Sequence, residues 1–365
     1  MGQYQRLSDI RYFQPDALSH KKDRYDRIAL TKGRKPFDEL NGIGRGHRLA
    51  ICGSGPSLKH SIVEIKKMQR WGNCKVLACN TAHEYLREQG VKIDFAAMLD
   101  PRPWVKGYMT PQIGTKYLLA SQVHPDVWPV FDGFDVYVWH CLTSGDDEKA
   151  LSHRMPFTRK RWMKGGNTIG LRSFMWSRPE WADFDGVHLF GFDSSFDTDI
   201  HVTPKASDVK VDKTRNKLRL AHPVTGQALG RSYTTNGSMM TQADWFSSET
   251  KGILAAQYRG WFKPSFEITV HGDGLLPDIA ALMFIHADGL KRRDEVLNAP
   301  WEGAENEGDF VWDTVHTDQK AFETKIAEMK PSSTPLGLID VGEIDWSGLD
   351  GYQTSNPSNT GHTSG

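Results

Sequence analysis

The chain has 365 residues, 38% of them hydrophobic, and its 45 basic and 45 acidic side chains cancel to a formal net charge of zero. That size supports one large core or two modest ones, no run reaches the roughly 18 apolar residues of a membrane span, and the polar start carries no secretory signal. Neither a basic excess nor a zinc-finger or RNA-binding motif marks a dedicated nucleic-acid binder, so a soluble cytoplasmic protein is expected. The charge is uneven: residues 1–48 hold eleven Lys/Arg against six Asp/Glu, and residues 295–365 hold thirteen Asp/Glu against three Lys. Contact between the two ends and plain solvation of both are the two readings of that asymmetry.

Residues 1–46 read as an irregular basic arm that ends in Gly42-Ile43-Gly44-Arg45-Gly46. From 47 to 290 short β-rich runs alternate with amphipathic stretches, the pattern of an α/β domain with a mostly parallel sheet. The first run, Leu49–Cys52, breaks into Gly53-Ser54-Gly55-Pro56-Ser57, and a helix follows with Leu58, Ile62, Ile65 and Met68 at helical spacing. Gly53 and Gly55 allow a ligand close to the backbone, while Ser57 can cap a helix whose free N–H groups attract phosphate. The spacing is neither GxGxxG nor a P-loop, and an ordinary βα turn would look the same.

Further runs each deliver a polar residue at a strand's end. Lys75–Cys79 leads to Asn80 and a helix over Ala82–Gln89, and Ile93–Leu99 leads to Asp100. Strands are also expected at Lys116–Ala120, Val136–Trp139, Val187–Gly191 and Phe266–Val270, and a helix after Gly165-Gly166-Asn167-Thr168. Val209–Leu220 suggests a hairpin turning at Thr214-Arg215-Asn216 beside the active face. Residues 291–345 form an acidic extension of weak periodicity, and the Gly/Ser/Asn/Thr-rich stretch 346–365 reads as disorder. Cys52, Cys74, Cys79 and Cys141 lack metal-ligand spacing and read as reduced core thiols.

In an open α/β sheet ligands lie outside the carboxyl ends of the strands, where strand order reverses. Ser54, Asn80, Asp100, Thr168 and Asp193 all fall at such ends. Basic Arg161 and Lys164, next to the Gly165-Gly166 turn, could neutralise phosphates, or form a solvated loop. Asp193, Asp197, Asp199 and His201 can be drawn as a metal cluster, although Asp-rich loops are commonly turn formers. Twelve tryptophans, Trp104 among them, offer faces for sugar or base rings, with core packing the ordinary fate of most.

The ordered set of Gly53-Ser54-Gly55, Cys79-Asn80, Asp100-Pro101, Gly165–Gly170, Gly191-Phe192-Asp193 and His271–Leu276 resembles a domain shared by three groups of enzymes. These are archaeal 6-hydroxymethylpterin diphosphokinases of the MptE type, motility-associated flagellin glycosyltransferases and, more distantly, bacterial CMP-sialic acid sialyltransferases. The resemblance covers roughly residues 47–290. It implies a Rossmann-like open, mostly parallel sheet with helices on both faces, a hairpin insertion and irregular terminal extensions.

The resemblance also implies a nucleotide-dependent transferase with a nucleotide or nucleotide-sugar donor. A glycosyltransferase acting on a hydroxyl is the leading reading; an MptE-like diphosphokinase and a non-catalytic nucleotide-binding or interaction protein are the alternatives. Asn80 stands where the sialyltransferases hold the nucleotide, and a helix N-cap would equally explain it. Asp100 stands where they have Asn; it could bind ribose hydroxyls or, with Asp193 in the diphosphokinase reading, Mg²⁺. Arg231 replaces their histidine, so His201, Asp193 or His271 is the candidate base and Arg231 a candidate for stabilising charge on the donor phosphates.

Overall fold

The computed structural model of the chain describes residues 27–141, 162–163, 165–196, 216–221, 228–258 and 260–283. Parallel strands covered on both faces need near-continuous apolar runs, and the central strands supply them. In chain order the strands are β1 (Lys35–Pro36), β2 (Arg48–Cys52), β3 (Cys74–Cys79), β4 (Phe95–Met98), β5 (Lys116–Ala120) and β6 (Asp135–Cys141). They continue as β7 (Trp162–Met163), β8 (Gly186–Phe190), β9 (Asn216–Ala221), β10 (Ala228–Thr235) and β11 (Glu267–Val270). The helices are α1 (Leu58–Trp71), α2 (Ala82–Glu88), α3 (Ile169–Trp176) and α4 (Gly237–Tyr258), and residues 275–283 are also helical.

The main sheet runs in the order β1-β6-β5-β4-β3-β2-β8-β11, with β7 beside β6. Every pairing in it is parallel. From β2 the chain steps one way through β3, β4, β5 and β6, then returns to place β8 on the other side of β2. Right-handed crossovers therefore put α1 and α2 on one face and α3 on the other. Accordingly α1 and α2 pack on β3, whereas α3 packs on β2 and β4. The reversal of order lies between β2 and β8, which fixes where a crevice opens at the carboxyl edge.

The α3 face is an aromatic core. Trp176 sits edge-on to Phe95 at 5.2 Å and to Phe184 at 5.8 Å, and Phe174 reaches Phe246 of α4 at 5.8 Å. Residues 27–46 join this core, unlike the irregular arm expected. Lys35 and Pro36 pair with Tyr137 and Val138 at the sheet edge, and the fully buried Phe37 lies 5.9 Å from Trp181. A two-residue strand has no periodicity to read, so only the partner β6 reveals it. All four cysteines are buried thiols; burial lifts Cys74 to about 11 and Cys79 to about 12, so neither is a nucleophile at neutral pH.

The hairpin is β9–β10, antiparallel, with Asn216 opposite Thr235 and a register shift between Ala228 and Ser232. It lies one strand later than expected: Asn216 opens a strand instead of closing a turn, and 209–215 fall outside the described residues. Phe196 N–H donates to Thr234 O, and Thr235 Oγ1 donates to Ser194 O, so the hairpin docks at the carboxyl side of β8. Among the described residues no helix is long and apolar enough to cross a membrane.

On the α1 face His188 of β8 and His271, just beyond β11, meet with Nδ1 and Nε2 3.0 Å apart, and His271 stacks on Phe190 at 4.0 Å. One nitrogen donates and the other accepts. Burial, the facing His271 and then Arg48 depress His188 to about 4 from 6.5. The unfolded chain takes up that proton first as pH falls, so the stability from His188 is complete above 6.5 and is lost progressively down to about 4. Urea unfolding at pH 7, 6, 5 and 4 should show the protein losing more stability over this range than His188→Asn does; parallel profiles would refute the assignment.

Candidate functional site at the carboxyl edge

Where β2 and β8 end, their following loops meet. Gly53 N–H donates to Phe190 O at 2.7 Å and Gly55 N–H to Gly191 O at 3.0 Å. A Cβ on Gly53 would stand 2.6 Å from Gly191 O, and one on Gly55 would stand 2.5 Å from Asp193 Oδ2. Gly191 has φ of +67°, and a Cβ there would stand 2.5 Å from Gly53 O. The close approach for which these glycines are needed is therefore made by the chain's own β8 loop.

The same loop meets the start of α1. Ser57 N–H donates to Asp193 Oδ2 at 2.9 Å, which puts a carboxylate where the free N–H groups of a helix attract an anion. Asp193 is buried, and Gly272 and Gly274 close over it: their added Cβ atoms would stand 3.1 Å from Oδ1 and 2.5 Å from the backbone O. The expected Ser57 side-chain cap is not formed; its Oγ is buried and meets no hydrogen-bond partner among the described residues.

Beside this junction the ends of β3 and β4 carry the other expected residues. Ser54 Oγ lies 2.7 Å from Thr81 Oγ1, tying the loop after β2 to the loop after β3. Asn80 has φ of +49°, the left-handed conformation that asparagine tolerates, with its N–H on Ala97 O and its C=O accepting from His83 N. It does not cap α2, since Thr81 precedes that helix, and Asn80 Oδ1 is buried with no partner among the described residues.

Asp100 is gripped by Arg102. The backbone N–H of Arg102 reaches Oδ1 at 3.0 Å, Nε reaches Oδ1 at 2.8 Å and Oδ2 at 2.9 Å, and Nη2 closes the fork on Oδ2. The guanidinium also lies over the Trp104 ring at 4.8 Å. Arg27 steadies the same loop from the N-terminal segment, donating to Pro101 O at 2.8 Å and Gln122 O at 3.1 Å.

Thr168 caps α3 through Leu171 N–H at 3.3 Å, and Asn167 holds Ser238 O at 2.9 Å. Arg231 on β10 bonds Asp273 and, at 2.9 Å, Asp278, which also accepts from Tyr233 OH. Burial opposes the Arg231 charge, but the two aspartates outweigh it and hold its pKa above the usual value. Arg231 thus ties the hairpin to helix 275–283 instead of standing open toward a donor. His271 sits against His188 and 3.4 Å from Glu64 on the α1 face. Arg161, Lys164, Asp197, Asp199 and His201 lie outside the described residues.

The carboxylates do not fit a divalent cation as they stand. Arg102 occupies both oxygens of Asp100, and Asp193 is enclosed by Ser57 N–H and the glycines Gly55, Gly272 and Gly274. Among the described residues no three His, Cys, Asp or Glu side chains gather as metal ligands do. Sequence reasoning missed Thr81, Arg102 and Asp278. Arg102, two residues after Asp100, was within reach of a local reading; Asp278 is 47 residues from Arg231 and was not.

Residues 27–199 match the family model 6-hydroxymethylpterin diphosphokinase MptE-like. The resemblance to the MptE-like family thus rests on a match that includes β1 to β8 and stops before the hairpin. Among solved structures the chain is similar to the MAf glycosyltransferase from Magnetospirillum magneticum AMB-1, at 16% identity and a TM-score of 0.46, over 76% of this chain and 44% of that one. The chain therefore spans less than half of that glycosyltransferase. It is also similar to a mammalian sialyltransferase in complex with Gal-beta-1-3GalNAc-ortho-nitrophenol, at 15% identity and a TM-score of 0.31, over 75% and 91% of the two chains. No curated protein matches the chain.

Because the space beside Gly55 belongs to the β8 loop, substitution there acts first on the fold. Gly55→Ala should cost about 1–3 kcal/mol in denaturant unfolding, the usual penalty of overpacking. Wild-type stability in Gly55→Ala would mean that the two loops are not in contact.

Proposed function

We propose that the protein is a nucleotide-dependent transferase whose donor nucleotide lies on the carboxyl edge over β2, β3 and β4, and that it moves a sugar from that donor to a hydroxyl. The observation that carries this reading is Asn80: a carboxamide at the switch-point edge, held in a left-handed conformation, not used as a cap, with an acceptor oxygen unmatched among the described residues. An N–H or O–H of a nucleotide base or ribose would satisfy it. Ser54 and Thr81 add two hydroxyls beside it, and the Asp100–Arg102 pair forms the next wall.

In this reaction the acceptor oxygen bonds the anomeric carbon, the bond from that carbon to the donor phosphate breaks, and the acceptor proton passes to a base. His201 is the base proposed from the sequence. The Arg102 fork on Asp100 favours a donor bound without a metal bridge, since a cation would have to displace a bidentate guanidinium.

A second reading, transfer of pyrophosphate from ATP to a hydroxymethyl group, is favoured by the description of the matching family model. The two differ in the bond broken. Calorimetric titration with CMP, UDP, GDP and ATP should find one preferred nucleotide, and Asn80→Gly, which keeps the backbone conformation, should weaken it about three- to tenfold, the worth of one hydrogen bond. Turnover of a nucleotide-sugar should persist in EDTA. AMP release from ATP with a hydroxymethylpterin acceptor, abolished by EDTA, would replace the glycosyl reading with the diphosphokinase one. Tight binding with neither product would leave a binding protein.

A further inference from the structure

Large apolar side chains left exposed in the described residues include three tryptophans: Trp71, Trp104 and Trp261. Trp71 ends α1 and precedes β3, and Trp261 precedes β11, so both belong to the amino edge of the sheet. Trp104 alone follows a strand's carboxyl end, in the short 3-10 turn Pro103–Gly107 after β4. It is 48% exposed, whereas Trp128, Trp139 and Trp176 are buried.

The indole is held from behind. The Arg102 guanidinium stacks over it at 4.8 Å and is itself locked by Asp100, while Arg27 fixes the preceding turn through Pro101 O. The turn packs on the helical turn Pro125–Phe131, where Lys106 pairs with Asp126 at 3.3 Å. Arg102, over the ring, is paired with Asp100, and Lys106, in the same turn, with Asp126. With the nearest cations of the turn already paired to carboxylates, the exposed indole offers an apolar face suited to an uncharged ring.

We propose that Trp104 is the platform of an acceptor subsite for a neutral pyranose ring, its C–H face on the indole face turned away from Arg102. The assignment rests on the transferase reading for the word acceptor, but not for the ring binding itself. β4 lies two strand spacings, about 10 Å, from β2, and Asn80 follows the strand between them.

Saturation-transfer NMR with methyl pyranosides of galactose, glucose and N-acetylglucosamine, and with uridine as an aromatic control, tests this. Signal on the ring C–H protons of at least one pyranoside is expected in the full chain and in Trp104→Phe, falling about tenfold in Trp104→Ala, the scale of one aromatic contact. The melting temperature and the affinity for CMP and UDP should be unchanged in Trp104→Ala. No signal from any pyranoside, equal signal in Trp104→Ala, or dependence on Trp104 for uridine alone would overturn the proposal. A Trp104-dependent pyranoside signal in a protein that binds no nucleotide would uphold the platform and remove the transferase reading.

Discussion

The hydrogen bond from Ser57 N–H to Asp193, and the glycines packed around it, is the constraint on which the carboxyl edge depends. Parallel strands hydrogen-bond along their length, but nothing in a ladder fixes how the loops beyond it are arranged. Here the loop after β2 donates backbone hydrogen bonds to Phe190 O and Gly191 O at the end of β8, and Asp193 anchors the result on the N-terminus of α1. A carboxylate there is favoured by the helix dipole and is buried where Gly55, Gly272 and Gly274 leave no side chain in its way. The junction closes the gap between the strands at which the sheet reverses direction.

Asp193 and Arg231 look like chemical groups in isolation, yet each is engaged by the chain: one by a helix end, the other by Asp273 and Asp278. Asn80 is different, because its backbone satisfies Ala97 and His83 while its side-chain oxygen does not find a described partner. A buried polar atom without a partner costs free energy, and Ser57 Oγ and Asn80 Oδ1 are two such atoms at this edge.

The wall of the edge at β4 is set by a buried network one layer down. Glu84 accepts from Thr110 N–H and Arg87, His83 lies 3.3 Å from Glu84 and 3.5 Å from Tyr117 OH, and Tyr117 OH accepts from Gln112 N–H at 2.6 Å. Burial works against the Glu84 charge, but the bonds from Thr110 and Arg87 outweigh it and keep the carboxyl below its ordinary range. These contacts bind α2, which follows Asn80-Thr81, to the stretch between β4 and β5 that carries Asp100 and Trp104. The two sides of the edge are thus braced against each other.

By itself the sequence determined the strands β2 to β6, β8 and β11, the helices α1, α2 and α3, the parallel sheet and the buried thiols. Apolar runs and helical spacing are local properties, and parallel burial demands them of every strand. It also brought Ser54, Asn80, Asp100, Thr168 and Asp193 to one edge, since polar residues after strands can only collect there. Tertiary structure decided what each of them does. Gly55 meets Asp193, Asp193 meets Ser57, and Arg231 meets Asp278 across separations of 42 or more residues, and β1 exists only because β6 is beside it. Whether a carboxylate is a pin or a ligand depends on the donor that reaches it first, and that donor is chosen by packing, not by the neighbours in the chain.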